Sequence, residues 1–182
     1  MTEDIMNDGL HVDDDADEGM KRRLASKFKA AAFGEIVSVL MRSTAHRSLT
    51  LAQIETLLMP AVLNKQYIVA RAKPKDHPEA TGMPVGVVIW ARVSEALDKR
   101  LSMELDKPLM LSPADWTSGD HLWIIDVVGA PATAAAMVDE LKRSMFAGRE
   151  AKVRGNKDGK IVVQTLYGAS PTSADNASAI GF

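Results

Sequence analysis

The residue best suited to chemistry is Asp126, the one charged residue in the apolar run Leu122-Trp123-Ile124-Ile125-Asp126-Val127-Val128. A buried carboxylate costs free energy unless it is paired or well hydrogen-bonded. The pattern therefore leaves three interpretations of Asp126. It lies at an edge or bulge that points it to solvent, it belongs to a structural ion pair, or it is the acid of a functional site.

Histidine is a suitable partner for such a carboxylate, because its ordinary pKa of about 6.5 lets it accept or donate a proton near neutral pH. The chain contains His11, His46, His77 and His121. His46 lies in a polar link, Ser43-Thr44-Ala45-His46-Arg47-Ser48, where a histidine is either simply exposed or part of a site. The histidines are scattered without metal-ligand spacing and cysteine is absent, so neither a metal site nor a cysteine nucleophile is expected.

Length and charge predict one domain between two tails. Residues 1–20 hold eight acidic and no basic side chains, which predicts a disordered acidic tail. Residues 169–182 are mostly small and polar and predict a flexible C-terminal tail, which leaves residues 21–168 as the domain. A membrane-spanning run of about 18 apolar residues and a secretory signal are both missing, so we expect a cytoplasmic protein without a membrane span.

Hydrophobic periodicity predicts the elements that must position these residues. Leu24, Phe28, Ala32, Ile36 and Leu40 recur at four-residue spacing, which predicts a helix over about 22–42. A capping box at Thr50 and Gln53 predicts a second helix, which Pro60 should end or kink. Strands are predicted at about 66–71, 85–93, 122–128, 150–154 and 160–166, with helices after Ser94 and from Pro131. This order predicts an α+β domain with a mainly antiparallel central sheet flanked by helices.

Several separated segments resemble the RTX toxin-activating lysine acyltransferases, which activate haemolysin-type protoxins. They are Ser43-Thr44-Ala45-His46-Arg47, Leu58-Met59-Pro60-Ala61-Val62 continuing to Asn64-Lys65-Gln66-Tyr67, and Pro84-Val85-Gly86 through Trp90-Ala91. The most specific is Asp115-Trp116-Thr117-Ser118-Gly119-Asp120 followed by Trp123-Ile124-Ile125-Asp126. The resemblance covers roughly residues 36–167, in matching order and approximate spacing.

This resemblance implies a GNAT-like acyltransferase fold and a reaction. The enzyme would move a fatty acyl group from acyl carrier protein, a phosphopantetheine thioester serving as co-substrate, to an internal lysine of an RTX protoxin. His46 and Asp126 match the family's catalytic pair, and Ser43 matches a supporting serine. The resemblance also suggests a homodimer, and we expect neither a bound cofactor nor a metal. Thr44-Ala45 and Gly129-Ala130-Pro131 depart from the usual pattern, which affects acyl-chain preference more than reaction type.

The chemistry of the pair fits that reaction. A lysine amine, with an ordinary pKa of about 10.4, must lose a proton before it attacks a thioester. His46 would accept that proton, or would itself attack the thioester and carry the acyl group. Asp126 would fix the tautomer of the imidazole and stabilise its cation. The residue types leave both routes open.

The identity of the donor is a separate question. By resemblance to the GNAT enzymes, a Gly-rich loop for the pyrophosphate of CoA would follow Val128. The turn found there, Gly129-Ala130-Pro131, has one glycine and a proline without an N–H, which makes it a poor cradle for that group. A basic patch could instead steer an acidic carrier protein, or could be only a solvated face: Lys142, Arg143, Arg149, Lys152 and Arg154. Two alternatives remain, a CoA-dependent GNAT-type N-acetyltransferase and a non-catalytic GNAT-like binding module. Nucleic-acid binding is not expected, since no recognised motif accompanies the charges.

Overall fold

A computed structural model describes residues 12–74, 76–77 and 81–170. The rest of both predicted tails, residues 1–11 and 171–182, lies outside the described residues. The helices of the described part are α1 (Val12–Leu40), α2 (Leu51–Leu63), α3 (Glu95–Met103), α4 (Pro131–Arg143) and a 3₁₀ helix (Pro113–Trp116). The strands are β1 (Tyr67–Ala72), β2 (Met83–Val93), β3 (His121–Gly129), β4 (Glu150–Lys157) and β5 (Lys160–Tyr167).

The strands form one five-stranded sheet in the order β1-β2-β3-β4-β5. All neighbouring pairs are antiparallel except β3 and β4, which run parallel because α4 carries the chain between them. The predicted α+β domain with a mainly antiparallel sheet is therefore confirmed. The predicted final hairpin is also present, and its turn places Asp158 and Gly159 at positive φ, where Gly159 N–H donates to Asn156 Oδ1.

The side chains of the sheet alternate between two cores, one on each face. Along β2, Val87, Ile89 and Ala91 join the larger core, in which α1, α2 and α3 bury apolar side chains. Val88 and Trp90 point the other way and join the core under α4. This period of two divides the residues of β2 between the two layers of helices.

Helix α1 begins at Val12, ten residues before its predicted start and inside the segment predicted as a tail. Only its C-terminal half follows the predicted burial pattern, since Ala32, Ile36 and Leu40 are buried. Leu24 and Phe28, from the same apolar stripe, are 50% and 67% exposed. The periodicity correctly predicted which face of α1 is apolar. It did not predict how much of that face is buried, because this depends on how far the sheet and α2 extend beside the helix.

Helix α2 begins as predicted, with the Thr50 side chain and Gln53 forming a reciprocal capping box. Pro60 does not end the helix, which continues to Leu63. Proline removes one N–H from the helical ladder. Here Pro60 and its neighbours Leu58, Ala61 and Val62 are buried, so tertiary packing holds the last turn.

A buried carboxylate that the sequence pattern did not reveal joins α3 to the sheet. Asp98 Oδ1 accepts from Trp123 Nε1 at 2.7 Å, and Oδ2 accepts from Lys152 Nζ at 2.7 Å. Burial alone would raise the pKa of Asp98, but the hydrogen bonds from Lys152 and Trp123 bring that pKa below its ordinary value. The contribution of this contact to stability is therefore present above the unfolded-state pKa of the carboxyl and is lost as pH falls through the folded-state pKa.

We expect Asp98→Ala to lower the free energy of unfolding by about 2–3 kcal/mol, because it leaves Lys152 and the Trp123 N–H without their acceptor. Asp98→Asn should cost less, since its amide oxygen can still accept from Trp123. Urea unfolding followed by tryptophan fluorescence measures both changes. Glu95→Ala, on the same helix in an exposed ion pair with Lys99, serves as the matched control. Equal losses for Asp98→Ala and Glu95→Ala would contradict the prediction.

The distinctive segment Asp115–Asp120 is a structural clamp that starts β3. Ser118 Oγ accepts from the Ser94 N–H at 2.9 Å and donates to the Asp115 carbonyl at 2.9 Å. The Trp116 carbonyl accepts from Gln66 Nε2 at 3.0 Å in the buried interior. These bonds fix the start of β3 against β2, α3 and the end of α2.

Gly119 lies within this clamp where a side chain has no room. A Cβ there would fall 2.6 Å from the Val93 carbonyl oxygen and 2.7 Å from Ser94 Cα, both backbone atoms. We expect Gly119→Ala to destabilise the protein by about 1–3 kcal/mol, the usual cost of overpacking. The control is Gly34→Ala in α1, which meets nothing within 4 Å and should stabilise by up to about 1 kcal/mol. Thermal unfolding of both variants tests this, and a Gly119→Ala variant as stable as the parent would refute it.

Candidate active site

The link between α1 and α2 holds His46 in a compact series of turns. The N–H groups of His46 and Arg47 both donate to the Ser43 carbonyl, at 3.1 and 2.9 Å, and the Leu49 N–H donates to the His46 carbonyl at 2.9 Å. Arg42, which precedes these turns, donates from Nη2 to the Pro84 carbonyl at the start of β2. The histidine is thus fixed by backbone bonds on both sides rather than carried on a free loop.

Asp126 reaches this link because β3 contains a β-bulge. Ile89 of β2 pairs with Asp126, but the next residue, Trp90, pairs with Ile124, so Ile125 is the extra residue. Paired residues share a face of the sheet, and Ile89 and Ile125 both pack in the core of α1, α2 and α3. Without the bulge, strict alternation would turn Asp126 toward α4.

The three candidate site residues meet in one hydrogen-bonded chain. His46 Nε2 lies 2.8 Å from Asp126 Oδ2, and Ser43 Oγ lies 2.8 Å from His46 Nδ1. The histidine and aspartate side chains are 20% and 21% exposed, which is enough for a substrate group to reach them. In the first interpretation of Asp126, the edge position is wrong, since β3 is the middle strand of the sheet, whereas a bulge does lie directly before this residue.

The partners determine where the protons lie. An ionised carboxylate can only accept, so His46 Nε2 carries a proton and donates it to Asp126. In the neutral imidazole Nδ1 then has the free lone pair, and the Ser43 hydroxyl donates to it. A proton can therefore reach the imidazole at Nδ1, by way of the Ser43 hydroxyl that already bonds to it.

Asp126 also makes His46 a stronger base. The hydrogen bond to Asp126 raises the pKa of His46 above its ordinary value, partial burial opposes this, and the negative charge of Asp126 adds to the rise. A base with a higher pKa removes protons more effectively, provided the pH stays high enough to keep it neutral.

The five basic residues named from sequence lie on both faces of the sheet. Alternation along β4 turns Lys152 and Arg154 toward α3, opposite the face that α4 covers. Arg154 donates to the carbonyls of Leu101, Glu104 and Lys107, and burial lowers its pKa. On the other side of the sheet, Lys142 and Arg143 pair with acids on their own helix, α4.

Arg149, the remaining member of that set, donates to the Asp120 carbonyl at 2.6 Å. Each of the five cations therefore has a partner within the chain. Only Arg143 and Arg149 are largely exposed. Sequence pattern could not separate exposed cations from structural ones, because the separation depends on the strand's orientation.

An apolar groove beside the site was not apparent from the sequence. It has a volume of about 490 Å³ and lies between α2, the loop at residues 108–111 and Ile125 of β3. Its residues come from three distant parts of the chain, so no local pattern indicated it. Among the described residues, no group of three or more metal-ligating side chains is present, and no helix is long and apolar enough to cross a membrane.

Comparison with known proteins identifies the family of this chain. The model of the RTX toxin acyltransferase family matches residues 25–166. An RTX-I toxin-activating lysine-acyltransferase of Actinobacillus pleuropneumoniae is 27% identical over 70% of this chain and 68% of its own. A lysine-acyltransferase of Vibrio cholerae is 26% identical over 61% of this chain and 85% of its own. An uncharacterized protein of Synechocystis, sll0720, is 28% identical over 74% of this chain and 87% of its own.

The matching family model and the two lysine-acyltransferases among these relatives identify the class of the protein as an acyltransferase. The chain belongs to the RTX toxin acyltransferase family, whose model covers well over half of its length.

Proposed function

We propose that this enzyme transfers a fatty acyl group from acyl carrier protein to an internal lysine of an RTX protoxin and so activates it. The observation that carries the proposal is the hydrogen-bonded chain from Ser43 through His46 to Asp126. The named activity of the relatives from Actinobacillus and Vibrio supports the reaction class. We also propose a GNAT-like fold, which a mixed sheet with a single parallel pair supports.

In the proposed mechanism, His46 acts as the base. The lysine enters as the neutral amine, after one proton of its ammonium form has passed to solvent. As the amine nitrogen attacks the thioester carbonyl, it gives a second proton to the Ser43 hydroxyl, which passes its own proton to Nδ1 of His46. The C–N bond forms, the C–S bond breaks, and the imidazolium returns that proton to the carrier thiolate. Asp126 holds Nε2–H throughout and stabilises the transient cation.

Acyl carrier protein is proposed as the donor for two reasons. Helix α4 begins with Pro131 after Ala130, which provides no side-chain cap, and this turn offers few N–H groups to a CoA pyrophosphate. Arg143 and Arg149 are exposed and Lys142 partly so, and these cations could contact an acidic carrier. Lys152 and Arg154 would act in that docking only indirectly, by holding β4 in place.

We also propose self-association and a cytoplasmic location. Met20, Leu24 and Phe28 lie at four-residue spacing on α1 and are 50–67% exposed, which leaves an apolar stripe suited to a second copy. A cytoplasmic location follows from the proposed donor.

The test is co-expression with a neighbouring RTX-type protein, followed by intact-mass analysis of that protein. We expect a fatty-acyl mass increase on a lysine that requires this chain and acyl carrier protein. Acylation by acyl-CoA but not by acyl carrier protein would favour the CoA-dependent alternative. No acylation by either donor would favour a binding module. A stable acyl adduct on His46 after incubation with donor alone would replace the base mechanism with an acyl-histidine route.

A further inference from the structure

A second pocket lies between α1, the end of α2 and the start of β1, and it shares no lining residue with the groove beside His46. Its volume is about 250 Å³. Two aromatic rings, a valine and two lysines line it: Phe28, Tyr67, Val62, Lys29 and Lys65. None of these residues takes part in the proposed mechanism, so the pocket needs an explanation of its own.

Two cations meet at this pocket without an acid to neutralise them. Among the residues that the structure describes, neither the Lys29 nor the Lys65 ammonium group has a hydrogen bond or an ion pair, and no acid belongs to the lining. Glu35, the next acid along α1, is already paired with Arg71. Like charges on the rim of one pocket repel each other, and an anion bound between them removes that repulsion.

The backbone at Lys65 suggests that its side chain has a use. Lys65 directly follows Asn64, the C-cap of α2, and has a φ of 56°, a conformation for which glycine is much preferred. Its N–H donates to the Val62 carbonyl at 3.3 Å, and the next N–H donates to the Ala61 carbonyl at 2.8 Å. The chain thus keeps a long cation in a position suited to glycine, which points to a role for the side chain rather than for the backbone.

The surroundings and the size of the pocket define its ligand. Residues 22–34 of α1 carry four basic and no acidic side chains, so the mouth lies in a positive field that attracts anions. The walls are apolar, so the body of the ligand must be apolar as well. A volume of about 250 Å³ equals roughly eight water molecules, which suits a body of about eight carbon atoms.

We propose that this pocket binds a small amphipathic anion, a carboxylate on an apolar body, with the carboxylate between Lys29 and Lys65 and the body against the aromatic walls. The site goes beyond the proposed acyl transfer and is separate from the His46–Asp126 pair. Its occupant bridges α1 to α2 and β1. A ligand that binds only the folded chain also raises the midpoint of thermal unfolding.

An NMR titration of the ¹⁵N-labelled full chain with 3-phenylpropionate and with octanoate tests the site without catalysis. We expect saturable shifts of the amides at residues 28–29 and 62–67, and the tighter ligand identifies the body as aryl or alkyl. Octanol has the same chain without the charge and should bind at least about tenfold more weakly than octanoate. The affinity for octanoate should fall as NaCl is raised, whereas that for octanol should not.

Variants separate binding from folding. Lys29→Gln should weaken octanoate binding about three- to fivefold, the effect of one partly exposed charge. Lys27→Gln, exposed on the same helix but outside the lining, is the matched control and should bind as the parent does. Lys65→Gly should weaken binding by a similar factor and yet raise the unfolding midpoint without ligand by about 2 °C, because glycine suits the positive φ. A residue with only a structural role would not change the two measurements in opposite directions.

Equal affinities for octanoate and octanol would overturn the inference, as would binding that Lys29→Gln and Lys65→Gly leave unchanged. If neither carboxylate binds and the same amides shift only as the protein concentration rises, a second copy of the chain fills the pocket, which also overturns it. Since no acylation is measured, the outcome leaves the proposed function to its own test.

Discussion

Replacing His46 with alanine is expected to lower kcat/KM for protoxin acylation by about 10²–10⁴, the usual contribution of a positioned general base. The lysine amine would then have no group to take its proton at Nδ1 of the imidazole. The Ser43 hydroxyl and the Asp126 carboxylate would remain but would no longer be joined, because both bond to the imidazole. Initial rates of acyl transfer from acyl carrier protein to a protoxin peptide measure the loss.

The control for this experiment is His121→Ala. His121 is exposed at the start of the strand that carries Asp126, and it should be replaceable without loss of rate. Added imidazole should restore part of the rate of His46→Ala, since the site is partly open to solvent. A purely structural histidine would give no such recovery. A parental rate in His46→Ala would exclude this residue from the chemistry.

Asp126→Asn is expected to cost about 10²–10⁴ in kcat with a smaller change in KM, because the carboxylate acts through His46 rather than on the substrate. The asparagine amide is nearly isosteric but cannot stabilise an imidazolium. Because an amide can donate as well as accept, the proton of the neutral imidazole is also no longer confined to Nε2. The pH profile provides a second measurement, because Asp126 raises the pKa of His46.

The sign of the pH effect follows directly. In the parent enzyme His46 loses its proton only above its raised pKa, so activity increases as pH rises through that value. Without the carboxylate the pKa of His46 falls, and the acidic limb of kcat/KM against pH moves to lower pH. Asp158→Asn is the matched control, since it makes the same change in an exposed turn at φ 53°, which asparagine tolerates. An acidic limb that does not move in Asp126→Asn would contradict the positioning role.

The same hydrogen bond links the proposed catalytic role of His46 to the stability of the fold. Because the folded-state pKa of His46 is raised, the ion pair stabilises the protein fully below the unfolded-state pKa of histidine. That contribution is lost as pH rises through the folded-state value. The pH range in which the imidazole is neutral, as the proposed base must be, is therefore the range in which this contact contributes least to stability.

The sequence by itself determined the local structure. The capping box at Thr50 and Gln53, the Ser94 cap of α3 and the final turn depend on neighbours a few residues away, and the structure has all of them. The isolated charge in β3 also identified Asp126 as unusual. Resemblance to a family, rather than spacing, connected it with His46.

Only the tertiary structure decided how those parts meet. His46 and Asp126 are 80 residues apart, and a one-residue bulge at Ile125 decides which face of the sheet the carboxylate occupies. No local pattern encodes a bulge whose partner strand is distant. The groove is formed by three separated segments of the chain. Which of the basic residues are exposed and which are structural depends on the face of the sheet to which β4 turns its side chains. Local patterns depend on chain neighbours, whereas a catalytic contact and the cavity beside it depend on long-range packing.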